Sequence, residues 1–368
     1  MTTIYCNKSG LSSALSNVSH SIPTRTSSNA LQGVKIRVEG NSMNLMTTDN
    51  NITIETSIDV ESDFDTEFLV PFRIFYSTVN KLPTEEVTLS FDEKNRITIK
   101  SGNFHSDLVC FDVEEYPRIS IEESGKYTVF DKKTFKDMIS RTSFAASTSD
   151  VNGILNGILI KKEEGNLVFV AVDVFRIAIR RTPSEIQSDL EVVVPARSVG
   201  EVAKIISDDD RKPDMMLDVS DGRIILVFDN NKVMLNTLQG KFIDYEGIVK
   251  QERPIRIRAK REELINIIDR ASVLSSSIDN NLIKLTITDN NMMINSLSDE
   301  GRMEENLEVI KEGPDLTIGF NSSYLKEILK VIDDEEILMS MSTSVRSCVI
   351  TPLSGESYLY LVLPVRIN

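Results

Sequence analysis

Two rhythms of apolar residues take turns along the chain. Residues 8–22 (KSGLSSALSNVSHSI), 132–147 (KKTFKDMISRTSFAAS) and 260–275 (KREELINIIDRASVLS) put apolar side chains at helical spacing. Residues 71–82 (PFRIFYSTVNKL), 195–206 (PARSVGEVAKII) and 320–331 (FNSSYLKEILKV) do the same. Between them lie alternating, β-branched runs such as NITIETSI, NLVFVAV, LIKLTIT and MMINSL, which predict strands. The rhythms recur in phase. Leu11, Phe135 and Leu264 hold one helical register, 124 and 129 residues apart, and the second helix starts at Pro71, Pro195 and Phe320, 124 and 125 apart. Asp49 and Asp173, again 124 apart, fall in matching strand turns. A proline opening a helix is well placed, because its missing N–H has no intrahelical partner there.

Each unit of about 120 residues reads as strand, helix, several strands, helix, several strands. That is too long for a solenoid repeat and suits an autonomous domain. The expectation is an α+β domain used three times, two helices packed on antiparallel sheets, with domains at 1–125, 126–253 and 254–368.

Composition narrows the class. The chain has 368 residues, 40% hydrophobic and 26% charged, as for an ordinary globular protein. No apolar run reaches the roughly 18–20 residues that cross a bilayer, and Met1 to Gly10 lacks a signal-peptide pattern, so a cytoplasmic protein is expected. Cys6, Cys110 and Cys348 are far apart and form no C-x-x-C, which predicts reduced thiols. Only His20 and His105 are present, so neither a His-based metal cluster nor a His triad is expected, and no cofactor. Nucleotide-binding glycine loops, H-E-x-x-H, EF-hand and G-x-S-x-G patterns are absent. The acidic runs Asp208-Asp209-Asp210 and Asp333-Asp334-Glu335-Glu336 read as solvated turns after helices, and Asp49 and Asp173 as turn residues capping nearby backbone.

Net charge is −15, which on average repels nucleic acid. Its distribution matters more. Each of the six helical segments is net +1 or +2, together +8, while the rest of the chain carries −23. Either the helices share a face toward a polyanion, or Lys and Arg simply populate solvated helix faces. The final segment, SYLYLVLPVRIN, predicts a buried strand that leaves its sheet after Val362, because Pro364 cannot donate to a ladder; a Pro-containing apolar tail can wall a peptide groove.

The threefold repeat, with V-P-A-R-S-V-G-E-V (194–202), V-D-V-F-R-I-A (172–178), G-F-N-S-S-Y-L (319–325) and L-V-L-P-V-R-I (361–367), resembles the bacterial sliding clamps, the β subunits of DNA polymerase III, over essentially the whole chain. The resemblance implies a non-catalytic processivity factor: a head-to-tail homodimer closing a ring around duplex DNA without sequence preference. It implies DNA contacts at Arg25, Arg73, Ser149, Gly153, Ile154 and Arg197; Lys204 joins them on helix charge. In the family Ser149 is often Gln and Ile154 often aromatic. The resemblance also implies a groove for short clamp-binding peptides of the polymerase III α subunit, the clamp-loader δ subunit, other polymerases and repair proteins. It maps to Leu155, Val172, Val174, Phe175, Arg176, Ile177, Ile243, Ile248, Asn321, Tyr324, Ser347, Val362, Leu363, Pro364, Val365 and Arg366. Val174 and Phe175 stand where Gly and His are usual, and Ile243 where Pro is common, which implies a greasier groove. Dimer contacts map to Thr78, Leu82, Leu108, Val273 and Leu274, with Ser106 in place of a frequent Phe, implying a weaker dimer. The competing readings are a ring-shaped protein scaffold without a replicative role, and an enzyme using paired carboxylates.

Overall fold

The computed structural model describes every residue except 1, 63, 93, 185–188, 209–213, 221, 276–280, 300 and 368. Asp209 and Asp210 of the first acidic run lie outside the described residues. The chain divides into two compact units, residues 1–136 with 198–237 and residues 137–197 with 238–368. Helices are α1 (Lys8–Val18), α2 (Phe72–Asn80), α3 (Lys132–Ser140), α4 (Ala196–Ile205), α5 (Glu246–Val249), α6 (Arg261–Leu274) and α7 (Ser322–Lys330). All but the one-turn α5 answer the helical patterns above. The second-helix prolines sit one residue earlier than expected: Pro71 and Pro195 end strands, and α2 and α4 begin just after them.

The first unit holds two antiparallel sheets. One has five strands in the order Glu61–Ser62, Thr2–Asn7, Glu86–Asp92, Arg96–Ser101, Phe104–Val109. The other has eight: Thr128–Asp131, Asp214–Ser220, Arg223–Phe228, Asn231–Asn236, Ile52–Asp59, Ser42–Thr48, Gly33–Glu39, Thr66–Pro71. Leu11, Ala14, Leu15 and Val18 make the buried face of α1, which packs on Ser42–Thr48, Ile52–Asp59 and α2. At the seam of the eight-stranded sheet, Leu235 pairs with Ile52 and Asn231 with Thr56.

The second unit repeats the scheme. Nine strands run Glu191–Pro195, Gly157–Glu163, Asn166–Val172, Arg176–Pro183, Tyr358–Val362, Cys348–Thr351, Glu336–Met341, Ile255–Lys260, Ile310–Glu312, and four run Gly301–Glu308, Asn291–Ser298, Leu282–Thr288, Leu316–Asn321. α6 and α7 pack together, and α6 lies on Asn291–Ser298 and Gly301–Glu308. Its seam joins Arg176 to Val362 and Arg180 to Tyr358. In both units the last strand of one repeat pairs with a middle strand of the neighbouring repeat. Two end strands have no such neighbour in their sheets: Phe104–Val109 and Gly301–Glu308.

The repeat is exact enough to be read from turns. Asp49 accepts from the amides of Asn51 and Ile52 (2.8 and 2.9 Å), and Asp173 from those of Phe175 and Arg176 (2.7 and 2.8 Å). Both are the capping turns expected from sequence. No helix among the described residues is long and apolar enough to cross a membrane.

Candidate peptide groove and nucleic-acid contacts

The groove residues gather in the second unit, around the turn capped by Asp173. Val172 and Ile177 flank that turn, buried in a cluster with Leu159, Val170, Ile179, Val193, Phe242, Tyr245 and Leu361; Ile154, Leu155 and Ile243 pack against it from the side. Strand alternation buries these positions and leaves the turn tip outside. Val174 and Phe175 are thus exposed, at 60% and 49%. Phe175 stacks on Tyr324 of α7, ring centroids 5.7 Å apart at 26°.

Arg176 is locked between rings. Its guanidinium lies 4.6 Å from the Tyr324 centroid and 5.4 Å from that of Phe144. It donates to Asp173 Oδ2 (2.9 Å), to the Phe144 carbonyl (2.7 Å) and to Glu327. With every side of the fork engaged, Arg176 is a wall of the groove rather than a free cation. Asn321 caps α7, its Oδ1 accepting from the amides of Ser323 and Tyr324, which fixes the platform beneath Phe175. Burial pushes the Tyr324 phenol up, so the ring stays neutral.

The tail completes the wall as its proline predicts. Val362 is the last ladder residue, paired with Arg176 on one side and Cys348 on the other. Beyond it the Leu363 amide donates to the Phe175 carbonyl (2.8 Å) and the Val365 amide to the Gly319 carbonyl (2.9 Å), with Pro364 between. Gly319 makes this approach possible: a Cβ there would meet the Val365 oxygen and Leu282 Cδ1 at 2.8 Å. Leu363 stays 39% exposed and Ile248 of α5 38%. Arg366 is exposed, and no carboxylate partners it among the described residues. Ser347 is different. It is buried, its hydroxyl accepting from Arg253 (3.0 Å), so it braces the loop before Cys348–Thr351. Sequence reading missed Phe144 and Glu327; Glu327 stands three residues after Tyr324 on α7, a spacing that puts both on one helix face.

The candidate phosphate contacts divide. Arg25, in the loop after the short helix Ser19–Ser21, Arg73 and Arg197 are exposed with no carboxylate partner among the described residues. Arg73 and Arg197 are the second residues of α2 and α4, the same position in two repeats. A cation in a first helical turn works against the helix dipole, so two such arginines carry a small stability cost that an anion would relieve. Lys204 is exposed but pairs with Glu201 (2.7 Å), which also receives His20 Nδ1 (2.7 Å). Burial raises the Glu201 carboxyl, but hydrogen bonds from Lys204 and His20 outweigh it and hold the group below the glutamate range. Ser149 and Gly153 are exposed, whereas Ile154 is turned into the apolar cluster.

Two sequence expectations need correcting. The basic surplus of the helices is not all surface charge. Lys132 is fully buried, bonded to Asp229 (2.7 Å) and Ser207 (2.8 Å); Lys136 pairs with Asp208 (3.0 Å), and Arg270 with Glu305 (2.6 Å). The second acidic run is not a solvated turn either: Asp333 holds Arg141, Asp334 accepts from the Tyr358 hydroxyl (2.6 Å), and Glu336 from Arg258 Nε (2.9 Å). Counting charges along helices cannot see partners contributed by strands.

The dimer candidates split between units. In the first, Leu82 is buried, Thr78 and Leu108 are half-buried, and Thr78 lines a cavity of about 350 Å³ with Arg73, Ile74, Ser77, Lys81 and Phe104. In the second, Val273 at the end of α6 is 80% exposed beside half-buried Leu274.

Comparison with known proteins follows the same repeats. Models of the N-terminal, central and C-terminal domains of the DNA polymerase III beta subunit match residues 2–120, 129–244 and 248–366. The beta sliding clamps of Staphylococcus epidermidis and Halalkalibacterium halodurans are 29% and 28% identical, each over 96% of both chains. The crystal structure of the Bacillus subtilis DNA polymerase sliding clamp is 27% identical and superposes with a TM-score of 0.96 over 100% of both chains. Three tandem clamp domains in order, an Asp-capped turn recurring between repeats and a tail folded onto the second unit all lead to one assignment: the chain belongs to the DNA polymerase III beta subunit family.

Proposed function

We propose that the chain is a DNA sliding clamp: two copies close head to tail into a ring around duplex DNA and tether polymerases through the groove at Phe175. The observation that carries this reading is the pair of unmatched end strands. Internal seams join last strand to middle strand between successive repeats, and Phe104–Val109 and Gly301–Glu308 are the last and middle strands left over. A second copy supplies the missing neighbour at both. The exposed Val273 and the cavity beside Thr78 and Phe104 are a knob and a hole for the same contact.

On this reading Arg25, Arg73 and Arg197 touch phosphates without reading bases, and enclosure keeps the clamp on DNA despite a charge of −15. Ser149, Gly153, Ile154 and Lys204 give weaker contacts. The groove binds apolar-acidic peptides of the polymerase α subunit, the clamp-loader δ subunit and repair proteins, with Phe175, Tyr324 and Leu363 as contact surface. Thr78, Leu82, Leu108, Val273 and Leu274 serve the dimer. Domains run 1–125, 126–253 and 254–368, and the role is processivity rather than catalysis. Retention after loading tests the whole: the protein should stay on nicked circular DNA through gel filtration and run off once the circle is cut. Equal loss from both forms would overturn enclosure and favour a protein-only scaffold.

A further inference from the structure

The internal seams fix which residue faces which across the join between copies, and this inference rests on the head-to-tail reading above. Two-residue hairpins close at Glu39/Ser42, Glu163/Asn166 and Thr288/Asn291, so Ser42, Asn166 and Asn291 are equivalent. Counting through the next hairpin of each repeat makes Ile52, Arg176 and Gly301 equivalent. Hairpins at Ser101/Phe104 and Phe228/Asn231 likewise make Leu108 the counterpart of Leu235. Leu235 pairs with Ile52 inside the first unit. Transferring that pair sets Leu108 opposite Gly301, Asp107 opposite Arg302, Ser106 opposite Met303 and His105 opposite Glu304.

We propose that Phe104–Val109 of one copy pairs antiparallel with Gly301–Glu308 of the other in this register, and that the Asp107–Arg302 and His105–Glu304 pairs select it. Burial agrees in phase: Phe104, Ser106 and Leu108 are half-buried, as are Gly301, Met303 and Glu305, while His105, Asp107, Arg302 and Glu304 are exposed. A one-residue slip would put half-buried positions against exposed ones. A two-residue slip keeps the faces but sets Asp107 against Glu304 one way and His105 against Arg302 the other. Like charges directly opposite are disfavoured in a ladder. Both acids are ready to accept a cation. The Thr98 hydroxyl donates to Asp107 (2.5 Å) and lowers its carboxyl, and Glu304 already holds Arg302 of its own strand. Gly301 suits its place, since a Cβ there would lie 3.9 Å from Leu274 Cδ2, ground left open for Leu108.

Charge reversal tests the register. Asp107→Arg sets Arg against Arg at both joins, and Arg302→Asp sets Asp against Asp. Each variant alone should dimerise about tenfold or more weakly than the parent in sedimentation equilibrium. An equimolar mixture of the two restores opposite charges at both joins and should form a heterodimer within about threefold of the parent affinity. Unchanged dimers of the single variants, or no rescue in the mixture, overturn the register while leaving the ring reading intact. A parent protein that stays monomeric at tens of micromolar overturns both. An independent readout of position is oxidative cross-linking: Ser106→Cys with Met303→Cys should link copies, and Ser106→Cys with Glu305→Cys should not. The reverse yield also rejects the register.

Discussion

Removing the Lys132 ammonium would leave Asp229 and Ser207 facing an emptied site. Breaking a buried pair from one side is costly, and Asp229 keeps some access to water, so Lys132→Met should lose about 2–3 kcal/mol in urea titration. Lys132→Met with Asp229→Asn should recover part of that loss. The same first-helix position is cationic in every repeat: Lys8 donates to the Leu82 carbonyl (2.7 Å) and Arg261 to that of Asp334 (3.2 Å). Sequence reading counted these cations toward a surface, and the structure uses them as anchors within each repeat. Glu201 makes a second residue-scale prediction. Its lowered carboxyl contributes stability above the ordinary glutamate range that is lost as pH falls through the lowered value, so Glu201→Gln should flatten the acid limb of the stability curve below about pH 5. At the groove, Phe175→Ala removes a half-exposed ring, and should weaken a fluorescent clamp-binding peptide about tenfold with little change in melting temperature.

At the scale of elements, the tail after Val362 is held by two backbone hydrogen bonds and no ladder, so it is separable from the sheet. Deleting residues 363–368 should abolish peptide binding measured by fluorescence anisotropy and leave the melting temperature within a few degrees. Gly319→Ala, which pushes on the Val365 oxygen, should mimic that loss in part while α7 stays capped by Asn321. Retained affinity in both variants would remove the tail from the groove. The sequence announced this element clearly, because a proline that cannot join a ladder marks where the strand ends. It did not announce Phe144 under Arg176 or the one-turn α5, since a single ring and a four-residue helix leave no periodicity to read.

At the scale of the whole molecule, enclosure and affinity predict different salt responses. Binding through many phosphate contacts falls steeply with salt, whereas a closed ring is held by topology. Loaded protein should therefore stay on circular DNA between 50 and 200 mM salt to within about twofold, while its weak binding to short linear duplex is lost. A parallel loss of both would tie retention to phosphate contacts alone.

The amino-acid sequence determined the threefold plan, the α+β class, the capped turns at Asp49 and Asp173 and the departure of the tail, because each is written in local periodicity or in the backbone chemistry of one residue. Only the tertiary structure decided which helix cations are free, that Arg176 is spent on its own neighbours, and which two strands remain without a mate. Those outcomes depend on what folding brings alongside, and strand pairing joins residues nearly two hundred positions apart, as at Ile52 and Leu235.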